Sequence, residues 1–339
     1  MNMVNTSLRR AYLGVLATAV ILSLTCCTRK SNAQSSTVDL NQAVKTPLRF
    51  VVYGDTRFHD PSDTQAANPI ARVDLVQAIS EANPAFICIT GDVVYNGNDG
   101  EDWKVWDNET RIWREKKIPV YPALGNHDLH GDPAVALGNY FQRFPDLKGS
   151  RYYSLRASNA LILILDSSQP EVTGAQGEWL NAKLDHVPAD VDFVFLIFHH
   201  PPYTSSSDVN KEARGGGHSA RTQEQAFAKL LEERQAHSRY RMVVFNGHVH
   251  NYEHHAQGGI DYFVSGGGAA YPYMVDRAPD DLFKNNEVNY HYLLVTVDHQ
   301  QLEVAMNRLD LSTGKAVWTR PDSVKLAADS KTAVRAAAP

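Results

Sequence analysis

Arg241-Met-Val-Val-Phe-Asn-Gly-His-Val-His250 decides how the rest of the chain is read. Its first half, Arg241 to Phe245, is a short apolar run that suits a buried strand, and Gly247 turns the chain where that strand ends. His248 and His250 stand two residues apart, and a turn can present both imidazoles to two neighbouring points. A His-x-His at a strand exit is a common way to offer nitrogen ligands to metal ions. Paired histidines also occur in ordinary loops. The reading therefore depends on whether carboxylates, an amide and a further histidine sit at other strand ends.

Four more apolar runs end in such residues. Leu48 to Tyr53 runs into Gly54-Asp55-Thr56-Arg57, and Phe86 to Thr90 into Gly91-Asp92-Val-Val-Tyr95. Ile118 to Leu124 runs into Gly125-Asn126-His127-Asp128, and its two prolines suit a short strand near an edge. Phe193 to Phe198 ends in His199-His200. Every exit delivers a metal-ligand type, and the loops beyond strand ends are where sites of α/β sheets assemble. Each set alone is an ordinary turn; together, straight after buried runs, they point to a metal site.

Between these strands lie helical patterns. Ile70, Val73, Val76 and Ile79 recur at spacings of three and predict an apolar helix face, closed by Asn83-Pro84. Trp103, Trp106 and Trp113 mark an amphipathic stretch, and Gln176 to Leu184 and Thr222 to Gln235 read as helices. Leu161 to Leu165 is a further buried strand; Ile260 to Ser265, Tyr292 to Val297 and Leu302 to Met306 are strands with no helix between them. Alternation followed by a strand-rich close predicts a mixed α/β layered domain rather than one parallel sheet.

The 339 residues, 43% hydrophobic and 21% charged, suffice for one large core or two modest ones. A formal net charge of -5 carries no nucleic-acid-binding signature. Arg9-Arg10 followed by the apolar run Ala11 to Leu24 reads as a bacterial-type export signal, with a twin-arginine character around Arg9-Arg10-Ala-Tyr-Leu13. Leu24-Thr-Cys-Cys27 resembles a lipoprotein cleavage box with Cys27 as the lipidated residue and membrane attachment point; a plain cleaved signal is the other reading. The expected location is outside a bacterial cytoplasm: periplasmic, outer-membrane lipoprotein or secreted. Residues 28–46 are polar and read as a tether, residues 47–310 as the ordered domain that carries these strand exits, and residues 311–339 as a C-terminal extension with a loose end. Cys88, inside Ala85-Phe-Ile-Cys-Ile89, reads as a buried strand thiol.

The blocks Gly54-Asp55, Gly91-Asp92-x-x-Tyr95, Gly125-Asn126-His127-Asp128, His199 and Gly247-His248-x-His250 resemble, in order, those of the calcineurin-like metallophosphoesterases. The resemblance covers about Leu48 to Leu309. It implies a layered α-β-β-α sandwich of two mixed β-sheets, with the metal site at the C-terminal ends of strands. Most of the family has Asp-x-His at the first block, but here Arg57 takes the histidine's place, and Tyr95 stands where the purple acid phosphatase branch supplies a tyrosinate. Position by position, the resemblance implies one ion on Asp55, Tyr95, His250 and one oxygen of Asp92. A second ion would lie on Asn126, His199, His248 and the other oxygen of Asp92. Fe(III) beside Fe(II), Zn(II) or Mn(II) is the implied pair, since phenolate favours a trivalent ion. His127 is implied as the general acid or phosphate contact, with Asp128 orienting its ring; a structural hydrogen bond within the loop is the other reading of His127. Arg57 reads equally as a phosphate contact or a salt-bridge residue, and His200 as substrate-facing or as a support behind the ligands. Tyr252 and His254 flank the site with weaker claims, and His218, in the glycine-rich loop, reads as a solvated loop residue, with a lid over the site as the other reading. The implied activity is hydrolysis of phosphate monoesters by metal-bound hydroxide. Phosphodiester hydrolysis on nucleotide or lipid headgroups is the first alternative, and a catalytically silent surface protein the second.

Overall fold

Alternating side chains on the central strands sort the core into layers. A computed structural model describes residues 37–40, 46–207, 218–285, 287 and 289–328, all within one compact unit that begins at Gln34. The seven-stranded sheet runs in the order β1 (Thr37–Asp39), β5 (Tyr153–Ala157), β6 (Ala160–Ile164), β7 (Phe193–Ile197), β8 (Arg241–Asn246), β10 (Ile260–Ser265) and β9 (Tyr252–Gln257). The six-stranded sheet runs in the order β13 (Val317–Ala327), β12 (Gln301–Asp310), β11 (Tyr290–Asp298), β2 (Leu48–Tyr53), β3 (Ile87–Ile89) and β4 (Val120–Pro122). In β6 and β7, Ile162, Ile164, Phe195 and Ile197 join the core shared with the second sheet, while Leu163, Val194 and Leu196 join a separate outer cluster. Phe50 of β2 meets Phe195 edge-on with ring centroids 5.3 Å apart, which joins the two inner faces. Each such fully buried side chain contributes about 1.5–3 kcal/mol.

Helices cover the outer faces. Leu180 and Leu184 of α5 (Gly174–Asp185) and Phe227 and Leu231 of α6 (Thr222–Gln235) cluster with Leu163, Leu196 and Val244. On the other side lie α1 (Pro69–Ala82), α2 (Gly100–Glu109), α3 (Arg111–Glu115) and α4 (Pro133–Arg143). The expected layered sandwich of two mixed sheets is thus the fold observed. The apolar face expected on α1 needs correction: Ile70 and Val73 are 65% and 50% exposed, and the buried stripe is Arg72, Leu75, Val76 and Ile79. A spacing of three drifts around a 3.6-residue helix, whereas i, i+3, i+4, i+7 stays on one face. Asn68 caps α1 by accepting from the backbone N–H groups of Ile70 and Ala71, with Pro69 at the first position. All three tryptophans of the amphipathic stretch are buried, and Trp113 donates its indole N–H to the Val76 carbonyl at 3.0 Å.

The strand with two prolines is β4, at the edge of its sheet as expected. Cys88 is free and buried in β3. At the chain's ends, Thr37–Asp39 pairs parallel to β5, and β13 pairs antiparallel to β12, so parts of the tether and of the C-terminal extension belong to the sheets. The export signal, the Cys27 lipidation box, the rest of the tether and residues 329–339 lie outside the described residues. Among the described residues, no helix is long and apolar enough to cross a membrane.

Candidate metal centre

Five parallel strands aim their C-terminal ends at one place. In one sheet β2 and β3 are parallel, as are β3 and β4; in the other β7 and β8 are parallel. Their exits deliver Asp55, Asp92, Asn126, His199 and His248, with His250 two residues further. Asp55, Asp92, His199 and His250 are fully buried.

The turns that do this are strained. Asp55, Arg57, Asp92 and His248 have φ of 58°, 45°, 53° and 70°, the left-handed region that costs a side-chain-bearing residue about 1–2 kcal/mol. Four such residues at one centre mark a place where geometry is held against local preference. Glycines make room for it. Gly91 has φ of 109°, and a Cβ on Gly125 would stand 2.3 Å from both the backbone nitrogen and Oδ1 of Asp92. Any side chain there displaces the Asp92 carboxylate.

The histidines are oriented from behind. His199 donates its Nδ1–H to the Thr90 carbonyl at 3.0 Å, and His250 donates Nδ1–H to the Tyr271 carbonyl at 3.1 Å. A carbonyl can only accept, so both rings carry the proton on Nδ1 and turn a bare Nε2 into the centre. His199 Nε2 lies 3.1 Å from Asn126 Oδ1, 3.4 Å from Asp92 Oδ1 and 3.2 Å from His248 Nδ1. On the other side, His250 Nε2 and Asp55 Oδ1 are 3.6 Å apart, and both are buried without a hydrogen-bond partner. Bare lone pairs converging at such distances repel unless a cation or a proton stands between them. The donor set therefore fits metal ions, with Asp92 between two groups of ligands.

Charges follow the crowding. Burial pushes the His199, His248 and His250 imidazoles down, favouring the neutral form that ligates. Burial, and then the neighbouring Asp92, raise Asp55. Burial would raise Asp92 too, but the adjacent His199, His127 and Arg57 outweigh it and hold its carboxyl below the usual range.

The remaining expected residues surround this core. His127 donates its backbone N–H to Asp92 Oδ1 at 2.9 Å, and its ring Nε2 lies 4.0 Å from Asp92 Oδ2. Its Nδ1–H goes to the Tyr95 carbonyl at 2.7 Å, and burial lowers its pKa to about 4. Asp128 does not orient that ring, contrary to the expectation. Its oxygens accept the backbone N–H groups of Val93, Val94 and Gly125, because a buried carboxylate beside two strand exits finds those donors first. Burial and the nearby Asp92 raise Asp128 to about 8. The Tyr95 ring stands at the rim, 36% exposed, with centroids 4.9 Å from His59 and 5.3 Å from His127. Arg57 Nη2 lies 3.4 Å from Asp92 Oδ2. His200 is buried behind His248, with its Nδ1 2.8 Å from Ser167 Oγ.

His218 is the addition that spacing did not show. Of its two readings, a solvated loop residue or one that reaches the site, the second is observed: its ring lies 4.0 Å from that of His248. A glycine-rich loop carries no periodicity from which that contact could be read. Tyr252 and His254, expected to flank the site with weaker claims, belong to β9: Tyr252 donates to Asp322 at 2.7 Å and His254 pairs with Asp261 at 2.9 Å.

Known proteins share this fold. No curated protein matches the chain. A purple acid phosphatase from yellow lupin (Lupinus luteus) seeds superposes with a TM-score of 0.63 at 16% identity over 84% of this chain. The chain spans 54% of the lupin protein's length. A dimetal phosphatase from Danio rerio superposes with a TM-score of 0.54 at 13% identity, covering 84% of this chain and 100% of the other. GAP50, the anchor in the inner membrane complex of Plasmodium, gives 0.53 at 16% identity, covering 87% of this chain and 96% of the other. At such identities these likenesses speak for the fold alone. The family model of the calcineurin-like phosphoesterases matches residues 48–252, a span that begins at β2 and holds all the converging strand exits. The chain belongs to the calcineurin-like phosphoesterase family.

Proposed function

We propose that this chain hydrolyses phosphate monoesters at a dinuclear metal centre, in the manner of a purple acid phosphatase. One observation carries the reading: bare acceptors from five strand exits converge around Asp92, with the protons of His199 and His250 tied away on backbone carbonyls. Asn126, His199 and His248 would hold one ion, Asp55, Tyr95 and His250 the other, with Asp92 shared. Two ions so held supply Lewis-acid activation of water and positive charge for the phosphoryl oxygens. The chain's own residues do the rest. His127 Nε2 faces the Asp92 carboxylate from the rim, where a proton held on it can pass to a leaving-group oxygen. Arg57 offers planar N–H donors to the phosphate, and His200 backs the His248 ring. Asp128 keeps the Gly125 and Val93 turns in place, and so sets where Asp92 and Asn126 point.

Iron is the proposed trivalent ion, beside Fe(II), Zn(II) or Mn(II), and it rests on Tyr95. Iron-loaded protein is expected to show a visible phenolate-to-iron band that disappears in Tyr95→Phe. A colourless protein with full iron occupancy removes Tyr95 from the ligand set. The activity itself is read from a panel of aryl phosphate monoesters and diesters. We expect hydrolysis that stops on chelation and kcat/KM higher for monoesters. Preference for diesters moves the assignment to phosphodiesterase, and no hydrolysis by metal-loaded protein leaves the silent surface protein. Export and lipidation at Cys27 are part of the proposal, and the mass of the mature N-terminus tests them: an unmodified start beyond Cys27 rules out the lipid.

A further inference from the structure

We propose that His59 is a positioning residue of the centre: its ring, fixed by the buried Asp102 carboxylate, holds the Tyr95 phenol where it can reach an ion on the Asp55–His250 side. The inference rests on the reading of Tyr95 as a ligand and adds the residues that keep it in place.

The backbone around Tyr95 is tied down, but its side chain is not. The Tyr95 N–H donates to the Phe58 carbonyl at 3.1 Å, and its own carbonyl accepts from His127 Nδ1 at 2.7 Å. The next N–H, of Asn96, donates to Asp102 Oδ2 at 2.8 Å. Among the described residues the Tyr95 hydroxyl has no hydrogen-bond partner. The ring is 36% exposed and meets two imidazoles, those of His127 and His59. His127 stands over Asp92, whereas His59 touches none of the converging acceptors. A tyrosine turns about two bonds and has several staggered positions open to it at a surface. One of them serves a metal ion. The neighbour that excludes the others is His59.

His59 is held by ring and by backbone. Its Nδ1 lies 2.5 Å from Asp102 Oδ1 and its Nε2 3.2 Å from Asp63 Oδ2, so both ring nitrogens are engaged. Its carbonyl accepts Nη2 of Arg72 at 3.0 Å, and Arg72 is anchored through Nε and Nη2 on the Glu109 carboxylate at 2.6 and 2.7 Å. Asp102 and Glu109 both belong to α2, and Asp102 lies in its first turn, where a carboxylate is favoured. Asp102 is 2% exposed. Its two oxygens thus fix the His59 ring and the backbone beside Tyr95, joining the loops that also deliver Asp55 and Asp92. A phenol packed against a fixed ring has given up its freedom before a metal arrives, which strengthens it as a ligand.

The test is visible spectroscopy of the iron-loaded full chain, normalised to bound iron, with Fe(III) affinity from chelator competition. In His59→Ala the band per bound iron is expected to fall about threefold or more, and the affinity about 10–100-fold. His59→Phe keeps a flat ring beside Tyr95 and should hold the band within about twofold of wild type. A coloured wild type whose band His59→Ala leaves unchanged overturns this inference alone. So does a His59→Phe that loses the band, whether or not His59→Ala folds, because a ring in that place is then not what positions Tyr95. A wild type that binds iron without the band overturns the reading of Tyr95 as a ligand, and this inference with it.

Discussion

His127→Ala is expected to lower kcat by about 10²–10⁴ while leaving metal content unchanged. The ring sets Nε2 4.0 Å from Asp92 Oδ2 and rests on Tyr95 through Nδ1, and among the described residues it supplies no atom to the convergent His and Asp groups. The backbone bond from the His127 N–H to Asp92 Oδ1 survives the substitution, so the carboxylate keeps its place. The loss should shrink for substrates with good leaving groups, such as aryl esters bearing nitro substituents, because these need no proton on departure. A loss equal for all leaving groups would make His127 a phosphate contact, and an unchanged kcat would remove it from the reaction.

The second large effect is on stability. Asp281→Ala should destabilise the fold by about 3–5 kcal/mol, the cost of leaving a buried ion pair half-made. Asp281 is fully buried and accepts from Arg277 Nη1 at 2.8 Å, Ser205 Oγ at 2.8 Å and the backbone N–H groups of His254 and Phe283 at 3.2 and 3.0 Å. With Glu253 and His255 it forms a group whose spacing could suit a metal ion. The Arg277 guanidinium already balances it, however, and Thr204 and Ser205 donate to Glu253. Removing Asp281 takes a buried carboxylate from that guanidinium, which still donates to the neutral oxygens of Tyr252 and Asn251, and loosens the segment that follows His199 by removing the acceptor of Ser205 Oγ. We expect the melting temperature to fall by about 5–15 °C. If instead chelator alone lowers it equally in wild type and in Asp92→Ala, this group holds a metal after all.

These two networks show which parts of the structure the sequence could and could not carry. Strands β2, β3, β7 and β8 were legible because buried parallel strands are continuous apolar runs, and the ligands stand two to four residues beyond them. β9 was not. Tyr252-Glu-His-His-Ala-Gln257 has no apolar alternation, because its buried Glu253, His254 and His255 are satisfied by one another, by Asp261 of the next strand and by Thr204 and Ser205 far away in sequence. Histidine beside a metal block was read as site chemistry, whereas tertiary pairing made His254 a strand residue. β13 was lost for a related reason: an exposed edge strand with a proline at 321 has little burial to pattern it. The face of α1 was misread by one spacing rule. Asp128 was misassigned because a carboxylate next to a catalytic histidine is indistinguishable, in sequence, from one that ties three backbone N–H groups. Arg57 was visible as a departure from pattern, but its hold on Asp92 needed the left-handed turn that no residue type announces.

The most direct test of the account is anomalous diffraction from crystals of the metal-loaded chain. Two peaks about 3.5–4 Å apart are expected. One should be bounded by Asn126, His199 and His248, the other by Asp55 and His250, with Asp92 between them. Loaded crystals with no peak in this cleft, or with metal bound only at Glu253, His255 and Asp281, would contradict it.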